Sequence, residues 1–255
     1  MDKINLGNTG INVSRLGLGT VKFGRNTGVK YPKGFELPSD KECAALLELS
    51  QELGINMLDT APAYGTSEER LGKVLKGQRD RWVIVGKAGE EFENGASSYH
   101  FTPEHFQMSL ERSLRRLNTD YLDILLIHSD GSDLDILSNE ALIETMIGFK
   151  ERGLVKAIGA STKTADGGIK CLELMDVVMA MYTPDYQDEK PVLDYAAEHN
   201  KGLLLKKVFS SGHAQDIQSA MAFALSHPSN PCTIIGTINP KHLKENIDAA
   251  NKALG

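Results

Sequence analysis

Four side chains in the first half of the chain have the chemistry to move a proton together: Asp59 in INMLDT, Tyr64 in APAYG, Lys87 in WVIVGK and His128 in YLDILLIH. Asp59, Lys87 and His128 each close a short apolar run, and Tyr64 follows Asp59 in a turn of Ala, Pro and Gly. Singly, each has an ordinary explanation. Asp59 can cap a helix, Tyr64 can be a surface ring, Lys87 a solvated cation and His128 a hydrogen-bonded core histidine. Position sets them apart: if the apolar runs are parallel strands of one barrel, all four meet on its C-terminal face, where such folds place their chemistry.

The elements that must position them alternate along almost the whole chain. After a short N-terminal hairpin (KINL, turn NTG, INVS), the strand candidates are RLGLGT, INMLDT, WVIVGK, DILLIH, VKAIGAS, DVVMAMY, GLLLK and CTIIGT. Between them lie segments of helical periodicity with recognisable ends. Ser39 and Glu42 make a capping box before Leu46, Leu49 and Leu53, with Gly54 as a stop; Thr102 and Pro103 open a helix carrying Phe106, Leu110, Leu114 and Leu117. Asn239 and Pro240 open the last one, with Leu243, Ile247, Ala250 and Leu254 on one face. Near-continuous apolar strands separated by amphipathic helices imply a parallel sheet covered on both faces. The chain is little longer than eight such units require, and no Gly-x-Gly-x-x-Gly opens a helix, so the reading is an α/β fold, a (β/α)8 TIM barrel, in one domain over 1–255. The segment from Lys22 to Pro38 reads as an irregular loop over the barrel mouth.

A net charge of −6 and the lack of a basic tract argue against nucleic acid and anionic membranes as partners. No stretch approaches the roughly eighteen apolar residues of a membrane span, so the expected setting is cytoplasmic. Cys43, Cys171 and Cys232 are odd in number and far apart, which suits buried thiols and neither a disulfide framework nor a zinc knuckle.

The tract LDTAPAYGTSEERLG, holding Asp59, Tyr64, Gly65, Ser67, Glu68, Leu71 and Gly72, resembles the signature of the aldo-keto reductase family. IVGKAGE resembles the strand that delivers the family's lysine, here Lys87, and LDILLIHSD the tract that delivers its histidine, here His128. The resemblance implies a carbonyl reductase or alcohol dehydrogenase: Tyr64 is the general acid in reduction and the base in oxidation, Lys87 lowers its pKa, Asp59 holds Lys87, and His128 orients the carbonyl oxygen. The expected substrate is a small carbonyl compound.

The same resemblance implies a nicotinamide cofactor, NADP(H) in preference to NAD(H). Ser161 and Thr162 in KAIGAST correspond to the pair that holds the nicotinamide amide, Gly19 and Thr20 lie beside it together with Asp59, and Phe209, Ser210, Ser211 and Gly212 correspond to the turn around the pyrophosphate. Gly236, Thr237, His242, Glu245 and Asn246 in the closing strand and helix are expected at the adenosine end, at a helix start suited to phosphate. Three positions depart from the family pattern: Met179 replaces a glutamine, Lys206 an aromatic residue or arginine, and His242 an arginine used for the 2′-phosphate. Two other functions compete. A lyase would use Lys87 as a Schiff-base nucleophile, and a regulatory subunit would bind cofactor without turnover. A metal hydrolase fits poorly, because His100, His105 and His128 form no compact ligand motif.

Overall fold

The computed structural model describes residues 1–255. The chain opens with the strands β1 (Lys3–Asn5) and β2 (Asn12–Ser14), then β3 (Leu16–Gly19) and the one-turn helix α1 (Val21–Gly24). There follow α2 (Asp40–Glu52), β4 (Met57–Asp59), α3 (Ser67–Val74), β5 (Val83–Ala88), β6 (Glu90–Glu93), β7 (Ala96–Tyr99), α4 (Pro103–Leu117) and β8 (Leu122–His128). The second half runs α5 (Asp133–Leu137), α6 (Glu140–Glu151), β9 (Val155–Ser161), α7 (Ala165–Leu174), β10 (Val177–Met181), α8 (Lys190–Glu198), β11 (Gly202–Lys206), α9 (Ile217–Leu225), β12 (Cys232–Ile235) and α10 (Pro240–Leu254).

The eight expected parallel strands, β3, β4, β5, β8, β9, β10, β11 and β12, close into one barrel. Closure is made by β12 against β3, where Thr233, Ile234 and Ile235 pair with Leu16, Gly17 and Leu18. A closed barrel leaves no unpaired strand edge. Its interior is packed with Met57, Val85, Ile124, Leu126, Ala157, Val177, Met179, Leu204 and Ile234, while the larger core fills the layer between strands and helices. The N-terminal hairpin β1–β2 pairs Lys3 with Ser14 and delivers Leu6, Ile11 and Val13 to the inner cluster. It thereby plugs the end of the barrel opposite the strand C-termini.

The expected caps are formed. Ser39 accepts from the Glu42 amide while the Glu42 side chain returns to Ser39, Thr102 accepts from the His105 amide, and Asn239 accepts from the Lys241 amide ahead of Pro240. Each satisfies backbone donors that a bare helix start leaves open, worth about 1 kcal/mol per cap. Gly54, at φ +88°, ends α2 as expected.

Two departures lie at the barrel mouth. The loop after β3 is not wholly irregular, since Val21–Gly24 make one helical turn that buries Phe23. After β5 the chain forms an antiparallel hairpin, β6–β7, with Glu90 opposite Tyr99 and Glu93 opposite Ala96. The turn residues Asn94 and Gly95 both have positive φ, 52° and 84°, the conformation of a type I′ hairpin turn.

Candidate active site

Strand register brings Asp59, Lys87 and His128 to the same end of the barrel, Lys87 and His128 each two residues beyond the partner of the one before. Gly19 of β3 is level with Asp59 of β4, Asp59 with Val85 of β5, Lys87 with Leu126 of β8, and His128 with Ser161 of β9. Tyr64 reaches the same place by a different route. Pro62–Tyr64 form a short 3-10 turn, and Gly65 at φ +62° reverses the chain so closely over Gly24 that a Cβ would lie 2.1 Å from its carbonyl oxygen. The Ser67 hydroxyl lies 3.2 Å from that of Thr60 and donates to the Thr20 hydroxyl at 2.8 Å, and the Thr20 hydroxyl donates to the Asp59 carbonyl at 2.9 Å. Glu68 is buried against Arg116, and Gly72 lets α3 approach the Arg116 carbonyl at a distance no side chain permits. The tract after Asp59 is therefore built to present Tyr64.

The side chains converge. Lys87 Nζ donates to Asp59 Oδ1, to the Thr60 carbonyl at 3.2 Å and to the Tyr64 hydroxyl at 3.1 Å. The Tyr64 hydroxyl is 3.4 Å from Asp59 Oδ2, and the ring of His128 stands edge-on to the Tyr64 ring, centroids 6.3 Å apart. Asp59 and Lys87 are 4% and 2% exposed, so the ion pair is held out of water, where removing one partner strands a buried charge. Tyr64 and His128, with Asp59 and Lys87, border a pocket at the barrel mouth.

Tyr64 sits among buried charged groups. Its phenol is held well above the ordinary value, first by burial, then by the negative charges of Asp59 and Glu90 and by Tyr31. Tyr64 is a neutral phenol with its proton in place. His128 is shifted well below its ordinary value, first by burial, then by Lys87, Lys206, Lys163 and Arg25, so its ring is neutral.

Of the residues expected around a cofactor, Gly19, Asp59, Ser161, Met179, Lys206, Phe209, Ser211, Gly212 and Gly236 line the pocket. The others stand back from it. Thr20 is spent on the Asp59 carbonyl, and Thr237 caps the turn before α10 by accepting from the Asn239 amide. Asn246 is buried in α10, whereas His242 and Glu245 are exposed on it. Thr162 keeps a buried hydroxyl with no partner, and its carbonyl takes a 2.5 Å hydrogen bond from Lys206, which also donates to Ser161 at 2.9 Å. Ser210 and Ser211 adopt positive φ in the turn after β11.

These residues suit a dianionic nucleotide with a polar ring substituent. Lys206 and Lys207 line the pocket with Lys30 and Lys163; burial first, and then nearby lysines, lower both, Lys206 to about 8 against the opposing charge of Glu189. Such a group of cations favours a polyanion. Ser161, which lines the pocket, offers a polar contact of the kind an amide needs.

Sequence reasoning missed the pocket wall contributed by Glu90 and Tyr99 of the β6–β7 hairpin, whereas Arg25 and Tyr31 come from the Lys22–Pro38 loop expected over the mouth. The dipeptide Asn94-Gly95 between two short runs was the available signal.

The sequence model of the Aldo/keto reductase family matches residues 15–218. The chain is 32% identical over 216 residues to the aldo-keto reductase YhdN of Bacillus subtilis, covering 80% of this chain and 61% of that protein. It is 30% identical to the NADH-specific methylglyoxal reductase of Escherichia coli, over 78% of this chain and 62% of the relative. The matched region thus spans about three fifths of each of these relatives. It also superposes with a TM-score of 0.92 and 47% identity on the crystal structure of PA4992 from Pseudomonas aeruginosa, assigned to the aldo-keto reductases, over 99% of this chain and 96% of that one. With the closed barrel and the match over most of its length, this chain belongs to the aldo-keto reductase family.

Proposed function

We propose that the protein is an NAD(P)H-dependent reductase of an aldehyde or ketone, with Tyr64 as the proton donor. The observation that carries this reading is the Tyr64 hydroxyl, held at 3.1 Å by Lys87 at the edge of a pocket and kept protonated by its surroundings. A bound nicotinamide supplies the hydride. Ser161 and Thr162 hold the ring's amide, and the lysines around the mouth hold the phosphates. Tyr64 passes its proton to the carbonyl oxygen as negative charge develops there. Lys87 anchors the hydroxyl by donating to it, Asp59 fixes Lys87, and His128, whose ring stands edge-on to that of Tyr64, orients the substrate. The pocket bordered by Met179, Ile234 and Tyr99 limits water.

A Schiff-base role for Lys87 is the weaker reading. Its ammonium has three donors, and Asp59, Thr60 and Tyr64 take all three. A nucleophilic amine needs a free lone pair.

For the cofactor, the reading favours NADPH, resting on Lys241, His242 and Lys244 at the start of α10, where the helix end also attracts an anion. The Lys241 ammonium is 3.8 Å from Glu245, which moderates that preference, and one relative is NADH-specific. Titrating the protein with NADPH and NADH, then following oxidation of the bound cofactor on addition of simple aldehydes, tests the whole reading. Tight binding with aldehyde-dependent oxidation is expected. Binding without turnover on any aldehyde makes the protein a regulatory cofactor binder instead.

A further inference from the structure

Lys206 closes β11, level with Met181 of β10, and its side chain lines the pocket at the barrel mouth. Its nitrogen makes two hydrogen bonds, to the Ser161 hydroxyl at 2.9 Å and to the Thr162 carbonyl at 2.5 Å, at and just past the end of β9. Neither partner is charged. This separates it from Lys87, whose ammonium spends all three donors and sets one of them on the Asp59 carboxylate. A neutral amine has two N–H donors and one lone pair, so Lys206 loses a proton without giving up either contact. Its surroundings favour that loss. Burial acts first, Lys207 and Lys163 add repulsion, and the carboxylates of Glu189 and Asp133 oppose them, leaving the amine at about 8. Near pH 7.5 roughly a quarter of such a group is neutral, against about a thousandth of an ordinary lysine with a pKa near 10.4.

We propose that Lys206 captures aldehydes covalently as a Schiff base when no cofactor is bound, and that a bound nicotinamide nucleotide closes this capture site. The lone pair of the neutral amine adds to the aldehyde carbon, and one proton moves from nitrogen to oxygen to give a carbinolamine. The hydroxyl then leaves with the second nitrogen proton as water, and the C–N bond becomes the imine double bond; nothing is oxidised or reduced. Taking a proton from solvent, the imine recovers one N–H for Ser161 or Thr162. A desolvated amine beside other cations is the setting that activates a lysine nucleophile, and Lys207 and Lys163 provide those cations. The capture step stands on Lys206 and its neighbours alone. The closing step rests on the reductase reading above, because Lys206 lies among the residues assigned to the nucleotide.

Reductive trapping tests both. Cofactor-free protein is treated with limiting propanal and cyanoborohydride, which fixes an imine as a propylated amine, and each lysine is followed by peptide mass spectrometry. Lys241, with 82% of its side chain exposed, serves as the ordinary amine. At pH 7.5 Lys206 should be propylated at least about tenfold faster than Lys241, given its larger neutral fraction. Its rate should level off above pH about 8, while that of Lys241 goes on rising toward about pH 10. NADPH at about a hundred times its dissociation constant should slow Lys206 by at least about tenfold and leave Lys241 unchanged. Labelling of Lys206 no faster than that of Lys241 overturns the capture site. Fast labelling that bound NADPH leaves unchanged overturns the closing step. Fast labelling with protection, but with no aldehyde-dependent oxidation of NADPH, supports capture and closing and removes the reductase reading alone.

Discussion

Asp59, Tyr64 and Lys87 form one hydrogen-bonded unit. Burial, Asp59 and Glu90 together hold Tyr64 well above its ordinary value. The sign of the pH dependence follows. Reduction needs the protonated phenol, which persists through and beyond the ordinary range of about 10 for tyrosine. In single turnovers where chemistry limits the rate, reduction should stay flat from about pH 7 to about pH 9.5, while alcohol oxidation, which needs the phenolate, rises about tenfold per pH unit. A reduction rate that falls with a midpoint below about pH 9 contradicts this environment. His242 carries the second prediction at this scale. Arginine offers a permanent charge and a two-pronged donor, while histidine is only partly charged near neutral pH. His242→Arg should raise the NADPH/NADH ratio of affinities by about fivefold to tenfold, the equivalent of one charge-assisted hydrogen bond. A ratio unchanged by the substitution would show that His242 does not face the phosphate.

At the scale of elements, the β6–β7 hairpin is where structure adds to what the residues reveal. Its turn requires positive φ at both Asn94 and Gly95. Gly95→Val places a β-branched residue there, with a strain of about 1–3 kcal/mol. The hairpin lies outside the barrel sheet, so the strain should loosen the hairpin alone. The expected result is a lower kcat/KM with unchanged NADPH affinity and an unchanged midpoint of global unfolding; a large loss of global stability contradicts a peripheral hairpin. The barrel strands were readable because burial on both faces makes them near-continuous apolar runs, and the helix starts because Ser39, Thr102 and Asn239 are side chains that cap. The hairpin was not readable from periodicity, since Glu90, Glu91 and Glu93 face Tyr99, Ser98 and Ala96 without an apolar face. Asp59, Tyr64, Lys87 and His128 could be singled out because three of them end apolar runs. Glu90 could not, because it reaches the pocket only once β6 folds back over the mouth. The raised pKa of Tyr64 was equally hidden, depending on burial and on charges brought in by three separate segments.

For the molecule as a whole, the closed sheet ties the two ends of the chain together. β12 completes the barrel against β3, and Arg15 donates to Asn230 at 2.9 Å beside the same seam. The N-terminal hairpin plugs one end, and the pocket opens at the other. Such a barrel should unfold as one unit, since no group of strands keeps its pairing once the ring opens. The single tryptophan, Trp82, is 3% exposed where the chain enters β5 and reports on the barrel, while far-ultraviolet circular dichroism reports mainly on the outer helices. The two signals should follow one denaturant transition. Separate transitions would show that the 1–255 chain is not one cooperative domain.

The central claim is that the Tyr64 hydroxyl delivers the proton. It is tested most directly by single-turnover reduction of an aldehyde by Tyr64→Phe, with NADPH affinity measured on the same preparation. Removing one positioned acid should lower the chemical rate by about a hundredfold to ten-thousandfold, with NADPH affinity within about twofold of wild type, a difference of less than 0.5 kcal/mol. A Tyr64→Phe protein that reduces the aldehyde at the wild-type chemical rate contradicts the account.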